Sequence, residues 1–370
     1  MKKIHFVIDK SKIVDYSIAP VRYNKKELRK RGYEVKFFYQ LTEQLFNCDF
    51  LLLVSKPVLK MLQENKMIIS EPSPTIEFLK KARLYANKII WMDNSDSTTV
   101  THFELLPYID LYLKKQLFKD KTLYQKDFVG GRIFTDYYHS NFNIEDDIKF
   151  KQFFPLDLDL SYKVGLSWNI GLGDMYNAFT KMNYLQRRFP NIKLNNYNIN
   201  FISPNSDKSI DVFIRTSSDL SRKLVAFHRQ KLIEEIEAVI NKNNLNGSTN
   251  GKWLTTKEFR SSLKKSKILP SPFGWGEIGV RDYEAFIFGG LLLKPDMSYM
   301  DTWPNIFLKG ETYQSFSWDF EDLETVIVEL LNNKKKRIQI ARNGQQAYKE
   351  SVSEKGMERF CDWFIQQINL

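Results

Sequence analysis

Short apolar runs alternate with longer amphipathic stretches along most of this 370-residue chain. Ile4–Ile8 predicts a buried strand. A basic helix over Lys25–Gly32 follows, ending at glycine before a second strand, Glu34–Tyr39. That opening is a β-α-β unit. Phe50–Val54 and Lys88–Met92 continue the strands, with a helix over Thr75–Ala86 between them, and Leu111–Leu113 adds another after Pro107. Strands alternating with helices predict a parallel sheet covered on both faces. Around Asn141–Leu160 the pattern becomes polar and then aromatic and proline-interrupted, which places a domain boundary there.

Beyond the boundary the pattern restarts. Ile199–Ser203 and Asp211–Ile214 predict strands, and Leu220–Asn241 a long helix with Leu224, Phe227, Leu232, Ile236 and Ile240 as its buried stripe. A short helix over Thr256–Ser266, a strand over Gly290–Pro295 and a helix over Phe320–Asn332 follow, and helical patterns fill the chain after Lys334–Arg337. The expectation is an α/β protein of two Rossmann-like domains facing each other across a cleft. Residues 1–155 form the first, residues 156–350 the second, and residues 351–370 a helix packing back on the first. Ligands of such sheets collect at the carboxyl ends of the strands.

Charge changes the picture modestly. With 55 Lys+Arg against 44 Asp+Glu the net charge is +11, which favours anionic membrane surfaces, nucleotide phosphates or nucleic acid as partners without choosing among them. Cys48 and Cys361 lie far apart without metal-ligand spacing, which excludes a disulfide framework and points to a reduced, cytoplasmic setting. The apolar run in MKKIHFVIDK is too short for a secretion signal, and no segment reaches the ~18 apolar residues of a membrane span.

Candidate chemistry concentrates in Ser271–Gly290, SPFGWGEIGVRDYEAFIFGG. A loop with Pro272, Gly274, Gly276 and Gly279 lets backbone N–H groups approach a ligand, and the next helix adds the positive end of its dipole. Ser271, Gly274, Trp275 and Gly276 are therefore binding candidates, and Glu277 and Glu284 can accept hydrogen bonds from sugar hydroxyls. The plain alternative is a Pro/Gly turn before a buried helix. Arg215 ends the strand DVFIR, where a planar guanidinium can bind two phosphate oxygens; Arg222, near the start of the next helix, is the second candidate. Arg229 reads as solvated and His228 as a packed or surface histidine. Arg281 either pairs with Asp282 or meets phosphate.

DNSDS, Asp93–Ser97, follows a strand and offers Asp93 or Asp96 as the base that deprotonates an acceptor, with an Asx-turn and a helix cap as the alternative. His102 and His5 stand behind them. Lys114, Lys115 and Arg132 either meet an anionic acceptor or donor phosphates or form a solvated basic face. Gly165–Tyr176, GLSWNIGLGDMY, is similar to the first loop of a second Rossmann-like domain. Asp157 and Asp159 form a D-x-D in the linker that chance explains.

These residues carry a resemblance. EAFIFGG, Glu284–Gly290, matches the "EA, two or three apolar residues, G" ending of a nucleotide-sugar motif, and ELRKRGYEV, Glu27–Val35, is similar to a first helix that usually ends "G-H/Y-E-V". The chain thus resembles glycosyltransferases of the GT-B fold, with a donor domain of the group 1/4 kind. The resemblance implies that Glu284 holds the donor ribose. It also implies transfer from a UDP-, GDP- or CMP-sugar to a hydroxyl of a surface polysaccharide or lipid-linked glycan, with retention and with no obligatory cofactor or metal. The place of action would be the cytoplasm, peripheral at the inner face of the membrane. Retaining members often carry a second glutamate eight positions before the first; that position here is Gly276, and Glu277 sits seven before, either reaching the sugar or capping the next turn. A glycosyltransferase that modifies DNA and a non-catalytic nucleotide-binding assembly protein are the two rival readings.

Overall fold

The computed structural model describes residues 1–11, 17–64, 73–146, 153–173, 199–217, 221–251 and 253–370. The first half runs β1 (Lys2–Val7), α1 (Ala19–Tyr23), α2 (Lys25–Lys30), β2 (Tyr33–Phe38), β3 (Phe50–Val54), α3 (Ser55–Met61), α4 (Pro74–Arg83), β4 (Lys88–Asp93), β5 (Leu111–Lys114), β6 (Gln116–Phe118), α5 (Ile133–Phe142) and β7 (Val164–Leu166). Six of these strands form one parallel sheet in the order β2-β1-β3-β4-β5-β7. The continuous apolar run FLLLV of β3 suits a strand covered on both faces: Leu52 and Val54 belong to one hydrophobic layer, Leu51 and Leu53 to the other. The Ser73 hydroxyl caps α4 by accepting from the amides of Thr75 and Ile76 at 3.2 and 3.3 Å, so the helix starts at Pro74, whose missing N–H costs nothing there.

The second half supplies β8 (Ile210–Phe213), α6 (Lys223–Lys242), β9 (Gly247–Ser248), α7 (Thr256–Lys265), β10 (Ser266–Pro270), α8 (Val280–Phe288), β11 (Leu291–Pro295), β12 (Met300–Thr302), β13 (Gln314–Phe316), α9 (Leu323–Asn332), α10 (Lys334–Ser351) and α11 (Glu354–Ile368). Its sheet, ordered β13-β11-β10-β8-β9, is also parallel. These are two Rossmann-like domains of the expected α/β class.

Four features depart from the sequence reading or fall outside it. Ile199–Ser203 makes no strand, because Ile202 gives its N–H to the Ile287 carbonyl and its own carbonyl to the Gln345 amide, each at 2.8 Å, leaving no free ladder there. The first sheet takes its last strand, β7, from beyond residue 155, so the first domain outruns the boundary drawn from composition. The long helix begins at Lys223; Leu220, its expected start, lies outside the described residues. Finally, β6 and β12 pair antiparallel across the two halves, setting Thr302 opposite Gln116 and Met300 opposite Phe118. That ribbon places Gln116 at the seam between the domains.

The last helix, α11, leaves the second half and lies on the first. Phe364 stacks on Phe6 with ring centroids 6.2 Å apart, Asp362 accepts from Arg31 at 2.7 Å, and Asn369 donates to the Tyr33 hydroxyl at 2.9 Å.

Candidate active site at the domain seam

The glycine loop leaves β10 and enters α8 under the control of a buried charge cluster. Asp282 accepts from Ser271 Oγ at 2.5 Å, from Lys294 Nζ at 3.0 Å and from the Gly279 amide at 2.9 Å, and both charged residues are fully buried. A carboxylate at a helix start is favourable, and the lysine offsets its burial. Asp282 therefore pairs with Lys294, not with Arg281. Arg281 instead lies 3.5 Å from Glu284 Oε2 and stacks its guanidinium 4.4 Å from the Phe259 ring. The Gly274 amide donates to the Gly276 carbonyl at 2.9 Å, which curls the loop, and Trp275 stands 39% exposed with its carbonyl accepting from Arg132 Nε at 2.9 Å.

Glu277 is fully buried and reaches across to the first half. Its carboxylate accepts from Ser97 Oγ at 3.0 Å, from the Thr98 amide at 3.1 Å and from Gln116 Nε2 at 2.6 Å. It neither caps the following turn nor stands open to solvent. Gly276 sits directly against this contact: a Cβ there would fall 1.8 Å from the Asp96 carbonyl oxygen, so only glycine allows the approach.

The two aspartates of DNSDS part company. Asp93 is fully buried, accepting from Tyr112 Oη at 2.6 Å, Lys114 Nζ at 2.9 Å and the Ser95 amide at 2.8 Å. Burial opposes its charge, but Lys114, His102, Tyr112 and Ser95 outweigh burial and hold it well below the ordinary carboxylate range. An acceptor hydroxyl has no route to this group, which corrects its assignment as a base. Lys114 is likewise buried, giving Nζ also to the Val100 carbonyl at 2.7 Å, and is no solvated cation. Asp96 has a side chain 46% exposed, between Lys115 at 3.2 Å and Lys56 at 3.4 Å. Partial burial pushes its carboxyl up, and the two lysines outweigh that and hold it at about 2. His102 pairs with Glu104 at 3.0 Å and His5 packs against Phe38 with Nδ1 on the Leu45 carbonyl, so neither faces the seam.

At the carboxyl end of β8 the arginines also differ. Arg215 donates Nη2 to Ser248 Oγ at 3.2 Å, whereas its Nε and Nη1 are buried without a partner among the described residues. Its guanidinium lies over the Phe213 ring, Phe213 meets Phe259 at 5.8 Å, and Phe259 carries Arg281, which meets Glu284: the five form one continuous wall. Burial pushes the Glu284 carboxyl up, against the opposing pull of Arg281 and Arg260. Arg222, by contrast, is committed to Asp146 at 2.5 Å and to the Gly130 carbonyl at 3.2 Å, which ties the start of α6 to the first half and removes it from the donor side. Arg229, expected in solvent, gives Nε to the Phe273 carbonyl at 3.1 Å and Nη1 to the Ser217 carbonyl at 2.8 Å, joining the loop after β8 to the glycine loop.

His228 is packed. Its Nε2 accepts from the Phe273 amide at 3.1 Å, so Nδ1 carries the proton and donates to Tyr138 Oη at 2.7 Å, and Tyr138 donates on to the Trp318 carbonyl at 3.1 Å. Burial, with Lys294 and Arg229 nearby, lowers its pKa to about 3. The glycine-rich segment after β7 plays a packing part at Gly171, where a Cβ would enter the Tyr283 ring at 2.0 Å, and the Tyr348 hydroxyl donates to the Gly171 carbonyl at 3.0 Å. Asp174 to Tyr176 of that segment lie outside the described residues. Asp157 accepts from the Asp159 amide at 3.0 Å in a turn.

Two parallel Rossmann-like sheets thus meet over one glycine loop. The architecture is α/β, with two parallel sheets of the Rossmann-like kind. No family model and no curated protein matches the chain. Among solved structures, the chain is similar to Anabaena HepE in complex with UDP, at 10% identity over 99% of this chain and 100% of that one, with a TM-score of 0.43. It is similar to a glycosyltransferase from Rickettsia africae at 11% identity, over 100% and 98%, with a TM-score of 0.47. An alpha-glucosyltransferase in complex with UDP and a 13-mer DNA containing a HMU base is 10% identical over 100% of both chains, with a TM-score of 0.45. Among the described residues no cluster of His, Cys, Asp or Glu is arranged to hold a metal, and no helix is long and apolar enough to cross a membrane.

Proposed function

We propose that this chain is a glycosyltransferase that moves a sugar from a nucleotide-activated donor to a hydroxyl of a surface polysaccharide or lipid-linked glycan. The observation that carries the reading is Arg215: a guanidinium at a strand's carboxyl end whose buried Nε and Nη1 have no partner among the described residues. Such a group is costly to leave unsatisfied, and a diphosphate supplies the acceptors and the charge it lacks. Arg215 stabilises the departing diphosphate. Glu284 accepts from the two ribose hydroxyls, with Arg281 beside it opposing the effect of burial on its carboxyl. Trp253, 88% exposed on the loop whose Asn250 side chain accepts from the Thr216 amide at 3.0 Å, offers an aromatic face near the same strand end.

The transfer is retaining and metal-independent in this reading, as the family resemblance implies. Asp96, ionised and flanked by lysines, serves to position an acceptor rather than to take its proton, because a base is effective when its pKa lies near the working pH. Catalysis then rests on placing the reactants and on leaving-group stabilisation. The exposed cations Lys25, Lys26, Arg29 and Lys30 of α2 hold the first domain against anionic lipid at the inner face of the membrane.

A thermal-shift series with UDP, GDP, CMP and their sugar conjugates tests the proposal. A rise in melting temperature with one nucleotide and a further rise with its sugar conjugate is expected. No shift with any member would sink it. Sugar transfer to duplex DNA instead of glycan would replace the acceptor and leave the donor site standing.

A further inference from the structure

We infer that Glu277 is a latch between the two domains and not a ligand of the sugar. A buried carboxylate needs compensation from several donors. Among the described residues, its hydrogen-bond donors all belong to the other half of the chain: Ser97 Oγ at 3.0 Å, the Thr98 amide at 3.1 and 3.3 Å to its two oxygens, and Gln116 Nε2 at 2.6 Å. Neighbouring residues complete the catch. Gly276 lies against the Asp96 carbonyl with no room for a Cβ, Gln116 also donates to that carbonyl at 2.8 Å, and Trp275 gives its carbonyl to Arg132. Three consecutive residues of the donor-side loop therefore grip the first half, Gly276 and Glu277 at the loop after β4 and Trp275 at Arg132 before α5.

The contact has the properties a latch requires. Its partners come from three places in the first half, the loop after β4, the strand β6 and the turn before α5, while β6 itself pairs with β12 of the second half, so it forms only when the domains are together. When they part, the carboxylate regains water, so opening does not strand a buried charge. The grip also fixes where the amides of the glycine loop point while the site is closed. This conclusion extends past the glycosyltransferase reading and needs no ligand to hold.

Hydrogen exchange by mass spectrometry, on the whole chain without ligand, decides it. Glu277→Ala should speed exchange at the Thr98 amide at least about tenfold and increase the radius of gyration in solution scattering, while the slow amides of β3 and β11 keep their protection. Ser97→Ala with Gln116→Ala should do the same from the opposite side. Unchanged exchange at Thr98 in a folded Glu277→Ala chain overturns the latch. If that variant does not fold, unchanged exchange in Ser97→Ala, Gln116→Ala overturns it equally.

Discussion

Acid should loosen this protein through His228, and the size of the effect follows from its surroundings. The ring is fully buried between Tyr138 and the Phe273 amide, and burial, assisted by Lys294 and Arg229, lowers its pKa from 6.5 to about 3. The folded state therefore binds its proton less readily than the unfolded chain. Stability from this group is complete above pH 6.5 and is lost as the pH falls toward about 3. Between about pH 7 and about pH 4.5 the loss comes to about 2.5 kcal/mol, from the linkage relation at about 1.4 kcal/mol per pH unit. His228→Gln keeps one donor and one acceptor without a titrating group. It should be less stable than the parent near neutrality, but its urea-unfolding free energy should fall by about 2.5 kcal/mol less on acidification. Carboxylates such as Asp96 act alike in both proteins and cancel in the difference. An equal loss in parent and variant would refute the argument that the ring is held neutral.

Four further outcomes are expected. Arg215→Ala should weaken a nucleoside diphosphate by about 1.5–3 kcal/mol in calorimetry and leave the nucleoside nearly unchanged; equal loss of both would remove Arg215 from the phosphate. Glu284→Ala should weaken a ribonucleotide by about 2–3 kcal/mol and its 2′-deoxy form by less, whereas parallel losses would separate the residue from the ribose. Gly276→Ala should cost about 2–3 kcal/mol of unfolding free energy, because the backbone carbonyl of Asp96 cannot step aside; a neutral substitution would mean the seam is not packed as described. Lys114→Met should cost about 3–5 kcal/mol by leaving Asp93 charged and buried, and a milder loss at low pH than at neutrality is the accompanying sign, since protonating Asp93 removes the stranded charge.

Much of the fold was legible because parallel strands must be apolar on both faces. FLLLV and LLLKP declare themselves as buried runs, and helices bounded by glycine or a capping serine separate them. Ile199–Ser203 looked equally strand-like; its polar backbone groups were claimed by Ile287 and Gln345, partners about 90 and 140 residues away that no local pattern reveals. The site was legible only in part. The glycine loop and the wall bearing Arg215 and Glu284 follow from residue type near strand ends. That Asp93 would be locked by Lys114 depends on neighbouring strands aligning Asp93 with Lys114 in register, and that Glu277 would meet Gln116 depends on the β6–β12 ribbon. Gln116 carries no signal of its own, being one uncharged polar residue in the basic stretch YLKKQLFKD. Arg229 was misjudged because an arginine on a long helix looks solvated until the loop carbonyls that take its protons are in place.

The path of α11 has a consequence for how the chain acquires its structure. Phe360 and Phe364 press edge-on against Trp168, and Phe364 also covers Phe6, so the first domain borrows core side chains from residues past 350. During synthesis the leading half must wait, its apolar face uncovered, while the whole second domain is made. It completes its interior only when the trailing helix has emerged and folded back. Chaperone contact and aggregation during translation should therefore concentrate on the first half, and shortening the chain by its last helix should damage the domain farthest from the cut.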